Sequence, residues 1–139
     1  MKIKLLKYSS VLLIYFVIDV SYQMLIGIPM SQSIQETAGI QGIFATEIAN
    51  PSLILVWFLL MTLAIVKLAV NPALEARSVK KAAKNALLLG LTAYGTLGMA
   101  NGWSLKDYPL SLVAEILLEG ALFAPISASI TTWWLLKQS

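Results

Sequence analysis

Four apolar runs, at about 8–28, 51–70, 85–102 and 109–136, take up most of this chain and restrict what it can become. A helix needs about 20 mostly apolar residues to cross some 30 Å of hydrocarbon, and in lipid every backbone polar group must be satisfied within the protein. The runs therefore predict an all-α, polytopic membrane protein, a four-transmembrane-helix bundle forming a single domain over residues 1–139. Composition agrees, because 58% of residues are hydrophobic and only 12% are charged, too few to cover a surface facing water. With no cysteine and no histidine, disulfides, thiol chemistry and the usual zinc, copper and haem ligands are excluded. No metal centre and no cofactor are expected.

Proline and charge set the expected boundaries. The first run follows Lys2, Lys4 and Lys7 and looks like the start of a signal peptide. Asp19, Tyr22 and Gln23 stand where a small-residue cleavage site would come, so an uncleaved helix ending at Pro29 is expected. Met30 to Asn50 then reads as the one long loop, with Glu36 and Glu47, and with Ile34, Ile40, Ile43 and Phe44 able to rest on a bilayer surface. Asn50 and Pro51 suit the cap and first turn of the second span, and Asn71 and Pro72 stop it. A short helical connector leads to the third span, and Pro109 opens the fourth.

Lys2, Lys4, Lys7, Arg77, Lys80, Lys81, Lys84 and Lys137 would share one side of the bilayer, with Lys67 close to it and only Lys106 opposite. Short basic loops remain in the cytoplasm, so both termini are expected there. These clusters flank apolar runs and do not line a polar face, which argues against nucleic acid as a partner.

Three carboxylates fall inside the spans: Asp19 in the first, Glu115 and Glu119 in the fourth. Counting about 1.5 Å per residue places Asp19 and Glu119 near the midplane, with Glu115 one turn further out on the face of Glu119. Buried carboxylates in lipid are costly and mark ion, proton or substrate paths, yet neutral acids also hold helices together or pair with a basic residue on another subunit. Both readings stand, with Tyr15, Tyr22, Gln23, Tyr94 and Ser111 as candidate hydrogen-bond partners.

Small residues recur every four positions, Gly98 and Gly102 in the third span and Gly120, Ala124 and Ala128 in the fourth. Such stripes let helices approach closely, within one chain or between two. Trp57 and Trp103 read as lipid anchors, Trp133 and Trp134 as an interfacial belt, Asn101 as a cap or ligand contact, and Pro125 as a kink. No catalytic triad, phosphate loop or dinucleotide fingerprint is present.

The stretch YGTLGMANGWSLKDYPL, Tyr94 to Leu110, resembles the hallmark of a bacterial family of predicted four-helix membrane proteins, DUF2177, whose pattern runs approximately YATYDLTNLATLKGWPL. Tyr94, Thr96, Asn101, Leu105, Lys106, Pro109 and Leu110 match. Asn71-Pro72-Ala73-Leu74, Gly90-Leu91, Asp19 and Gly120 fit further features. Leu97, Gly98 and Tyr108 replace the family's tyrosine, aspartate and tryptophan, and Ile116 and Glu119 stand in place of its fourth-helix aspartate and tryptophan. The resemblance implies a bacterial inner-membrane location and carries Tyr94, Thr96, Asn101 and Asp19 over as family positions.

Two function classes follow. One is a transport or small-ligand and cation-binding protein using Asp19, Glu115, Glu119, Tyr94 and Asn101, in the lipid bilayer and as a homo-oligomer. The other is an accessory subunit of a larger membrane complex, docked through its small-residue stripes. A lipid-modifying enzyme stands third.

Overall fold

A computed structural model describes residues 2–39 and 51–138. The elements are α1 (Lys2–Tyr22), a π turn (Gln23–Gly27), α2 (Ile28–Ala38), α3 (Pro51–Ile65), a second π turn (Val66–Val70), α4 (Asn71–Glu75), α5 (Val79–Ser104) and α6 (Leu110–Lys137). No strand occurs among the described residues, and the protein is an all-α membrane protein. Three stretches are long and apolar enough to cross a bilayer: Leu5–Ala38, Ser52–Glu75 and Leu110–Lys137. The expected third span lies within α5, which has the length but is less apolar, being interrupted by glycines, threonines and Tyr94.

Neither Pro29 nor Pro72 ends a helix, contrary to expectation. In both places a π turn precedes the proline, so the backbone N–H of Ile28 bonds the carbonyl of Gln23 and that of Asn71 bonds the carbonyl of Val66. The wider turn shifts the ladder by one residue and removes the carbonyl that the ring would strike, letting the helix continue. The first rod runs to Ala38, where Gly39 at φ 67° supplies a left-handed cap and donates to the Gln35 and Glu36 carbonyls. Ile34, expected in a loop, is therefore helical, whereas Ile40, Ile43, Phe44, Glu47 and Asn50 lie outside the described residues.

At Pro72 the unpaired carbonyl four residues earlier belongs to Leu68, and Asn85 Nδ2 on α5 donates to it at 3.1 Å. Asn85→Ala is expected to lower stability by about 1 kcal/mol, the net worth of one partly exposed hydrogen bond, read from unfolding in mixed detergent. Close by, Lys7 Nζ donates to Asn71 Oδ1 at 2.9 Å. The turn from α4 to α5 is tight: Arg77 takes φ 48°, Ser78 N bonds the Ala73 carbonyl at 2.9 Å, and Ser78 Oγ caps α5 by accepting from Lys81 N. Lys7, Asn71, Arg77 and the start of α5 thus mark a basic end of the bundle. Lys137 joins this group, resting on the Trp133 ring at 4.1 Å.

The core lies where α1, α3, α5 and α6 meet. Tyr15, Ile65, Val66, Ala69, Val70, Phe123, Ala124 and Ala128 are fully buried there. Outward faces carry bare Leu, Ile, Val and Phe, such as Leu13, Leu53, Leu55 and Leu88, as a lipid-facing surface requires. Trp57 departs from its expected anchor role: it stands edge-on to Tyr94 at 5.5 Å and packs on the core. Trp103 is 92% exposed at the opposite end.

Candidate functional site

Helices α5 and α6 approach most closely where Gly90 faces Gly120. A Cβ on Gly120 would lie 2.5 Å from the Gly90 carbonyl oxygen and 2.8 Å from Tyr94 Cβ, so the two backbones touch. Ala124 and Ala128 continue this contact on α6, fully buried, and Gly98 packs on Val113 and Ile116. The small-residue stripe is thus used inside the molecule. Gly102 is at the margin, 3.3 Å from Val113 for a built Cβ. Gly90, named in advance only through the resemblance, is the closest-packed of these.

That contact fixes the face α6 turns inward, and Glu115 and Glu119 are both buried on it, at 5% and 9% exposure. Gln23 Nε2, from the first π turn, donates to Glu119 Oε1 at 2.7 Å. Ser31 Oγ, from α2, donates to Glu115 Oε2 at 2.8 Å. Gly27 makes the first contact possible, because any side chain there would collide with the Gln23 carboxamide and crowd the Tyr22 ring. The π turn and the continued helix therefore deliver both donors. Gln23 was among the anticipated partners; Ser31 was missed, since a helix broken at Pro29 would have left it in a loop.

Asp19 joins from α1, half-buried. Gln23 lies one turn along the helix and interacts with Asp19 as well as with Glu119, and Asp19 and Glu119 act on one another. The three carboxylates thus form one electrostatic group. Among the described residues, no lysine or arginine acts on them. Among the described residues, three buried polar atoms around the two glutamates have no hydrogen-bond partner: Glu115 Oε1 and the Tyr22 and Tyr108 hydroxyls. Among the described residues no three His, Cys, Asp or Glu are arranged to hold a metal ion.

Tyr94 sits on the basic-end side of this group. Its hydroxyl and that of Tyr15 are hydrogen-bonded to one another in the core. The rings of Tyr15, Tyr22 and Tyr94 all stand edge-on around Phe123, at 6.2, 5.2 and 6.1 Å. Asn101 is not brought to the carboxylates. Its carbonyl accepts the Leu105 N–H at 2.9 Å and closes α5, and its side chain faces Tyr108 in the following turn. Thr96 is exposed and bonds the Thr92 carbonyl.

No curated protein and no solved structure matches the chain significantly. The family model described as "Predicted membrane protein (DUF2177)" matches residues 4–133, nearly the whole length. The π turns, the glycine contact and the carboxylate group all fall within that match, and the chain belongs to the DUF2177 family of predicted membrane proteins.

Proposed function

We propose that this chain is a four-span protein of the bacterial inner membrane that binds a small cation at Glu115 and Glu119 and carries it across the bilayer. The observation behind this reading is a pair of atoms left unpartnered among the described residues, Glu115 Oε1 and the Tyr22 hydroxyl, buried beside a second carboxylate with no described basic residue acting on it. A carboxylate left without a counter-charge in low dielectric takes up a proton or another cation.

Support for α5 as a fourth span comes from its threonines. Thr92 and Thr96 return their hydroxyls to the Leu88 and Thr92 carbonyls at 2.8 and 2.7 Å, which removes most of the cost of placing them against lipid. Four crossings place both termini on the basic, cytoplasmic side. An accessory role loses its main argument, because the Gly/Ala stripe is occupied by the α5–α6 contact within one chain.

Glu119→Gln keeps shape and burial but removes the charge. Cation uptake into proteoliposomes, and the carboxyl infrared band that responds to pH, sodium, potassium or methylammonium, are expected to fall at least about tenfold, or about 1.4 kcal/mol. Unchanged uptake and an unchanged band in Asp19→Asn, Glu115→Gln and Glu119→Gln alike would overturn the carboxylate site.

A further inference from the structure

The inward face of α6 carries more than two glutamates. Glu115, Glu119, Phe123, Ser127 and Thr131 follow at intervals of four, and all are buried. Each step of four residues overshoots a full turn by about 40°, so the row winds about 160° around the helix from Glu115 to Thr131 while staying buried at every step. From Glu115 to Thr131 the stripe rises about 24 Å, most of the hydrocarbon thickness. Only Phe123 interrupts its polar character.

Beyond Phe123, toward the basic end, the polarity consists of hydroxyls. Ser127 Oγ bonds the Phe123 carbonyl at 2.7 Å and keeps its lone pairs free. Thr131 and Thr132, both fully buried, have hydroxyls with no partner among the described residues. On α3 the buried Thr62 hydroxyl is likewise unpartnered. A threonine in a membrane helix can return its hydroxyl to its own backbone, as Thr92 and Thr96 do, but these three do not. Buried hydroxyls without protein partners are the groups that internal water satisfies.

We infer that α6 provides a transmembrane proton path in two halves, a carboxylate half at Glu115, Glu119 and Tyr22 and a hydrated hydroxyl half at Ser127, Thr131 and Thr132, with Phe123 as the gate between them. The inference rests on the proposed cation site and names its cargo. A bare metal ion takes several oxygen ligands, mostly carboxylates and carbonyls, whereas the unpartnered atoms among the described residues here are one carboxylate oxygen and two neutral phenol hydroxyls, which suits a proton. Transfer makes and breaks only O–H bonds. A proton taken up at Glu115 moves on to Glu119 as Glu119 gives its own to the hydroxyl half, the hydroxyls and their waters each bind one proton as they release another, and one proton leaves at the far side, so every group returns to its starting state. A pH difference or membrane potential supplies the drive. The three tyrosine rings hold Phe123 in place, and rotation of that ring would open the route.

The test is proton flux in liposomes containing the full chain and an internal pH dye, driven by a potassium diffusion potential. Wild type should exceed protein-free vesicles. Phe123→Ala should raise the flux about tenfold, as removal of a hydrophobic constriction does. Phe123→Leu, closer in volume, guards against loss of fold and should give a smaller rise. Thr131→Val and Ser127→Ala should each lower the flux several-fold, and Glu119→Gln should abolish it in wild-type and Phe123→Ala backgrounds. Flux equal to that of empty vesicles in folded wild type and Phe123→Leu, or flux indifferent to Thr131→Val and Ser127→Ala, overturns the path. If the cation-sensitive carboxyl band persists in that case, the binding site stands without conduction; if the band is absent as well, both readings fall.

Discussion

Gly120→Ala is expected to destabilise the α5–α6 pair strongly, despite being among the smallest changes available. The added methyl would meet the Gly90 carbonyl oxygen at 2.5 Å, the Gly90 carbonyl carbon at 2.9 Å and Tyr94 Cβ at 2.8 Å. Two of these are backbone atoms, so no rotamer change relieves the clash and the helices must separate. Replacing glycine by alanine in a helix gains about 1 kcal/mol of propensity. Forced overpacking costs typically 1–3 kcal/mol and more when backbone has to move, so the net loss should be about 2 kcal/mol or greater. Tyr94 would shift with α5 and release its bond to Tyr15, loosening the aromatic packing around Phe123.

Gly98→Ala provides the contrast. Its methyl would make ordinary contacts at 3.4 Å with Ile116 and Val113 side chains. Stability should then hold or rise slightly, since the propensity gain is no longer opposed. Thermal unfolding in mild detergent, followed by circular dichroism, separates the two. Equal melting temperatures for both variants would mean that α5 and α6 do not meet at Gly90 and Gly120.

Hydropathy exposed the helical, membrane-spanning class, because lipid imposes one simple demand on every residue of a crossing segment. Proline was a poorer guide. Pro29 and Pro72 break the i to i−4 ladder only when that ladder is in register, and a one-residue π insertion before each ring removes the conflict. Sequence patterns carry no clear mark of such an insertion. The consequence reached the site, since a helix ending at Pro29 hides the reach of Ser31 to Glu115.

Counting residues at a fixed rise puts Asp19 and Glu119 at a similar level, and Gln23 interacts with both of them. The four-residue spacing from Glu115 to Thr131 was equally present in the sequence. By itself this spacing carries no functional mark, because serine and threonine in membrane helices usually bond their own backbone. Only burial without a partner distinguishes Thr131 and Thr132 from Thr92 and Thr96. Asn101 illustrates the reverse case: it matches the family pattern, yet it serves the end of α5 and not the carboxylates.

Gln23→Leu should be the most damaging single change at the site itself. The carboxamide donates to Glu119 Oε1 at 2.7 Å from within the bundle, and no lysine or arginine can replace it. Loss of a hydrogen bond to a charged or buried carboxyl costs about 1.5–3 kcal/mol, because the acceptor remains out of water with nothing to satisfy it. Leucine matches glutamine in bulk, so little of the loss should come from packing, and Gly27 keeps room for it. The second half of the test is Glu119→Leu in the same chain. With donor and acceptor both removed, no unsatisfied group is left, and the double variant should regain most of the stability lost by Gln23→Leu while remaining inactive in cation uptake. That pattern, stability restored and uptake not, would show that Gln23 holds the carboxylate in place and that the carboxylate does the binding. If the two losses simply add, the Gln23 amide and Glu119 do not interact, and the link between the first π turn and the site is broken.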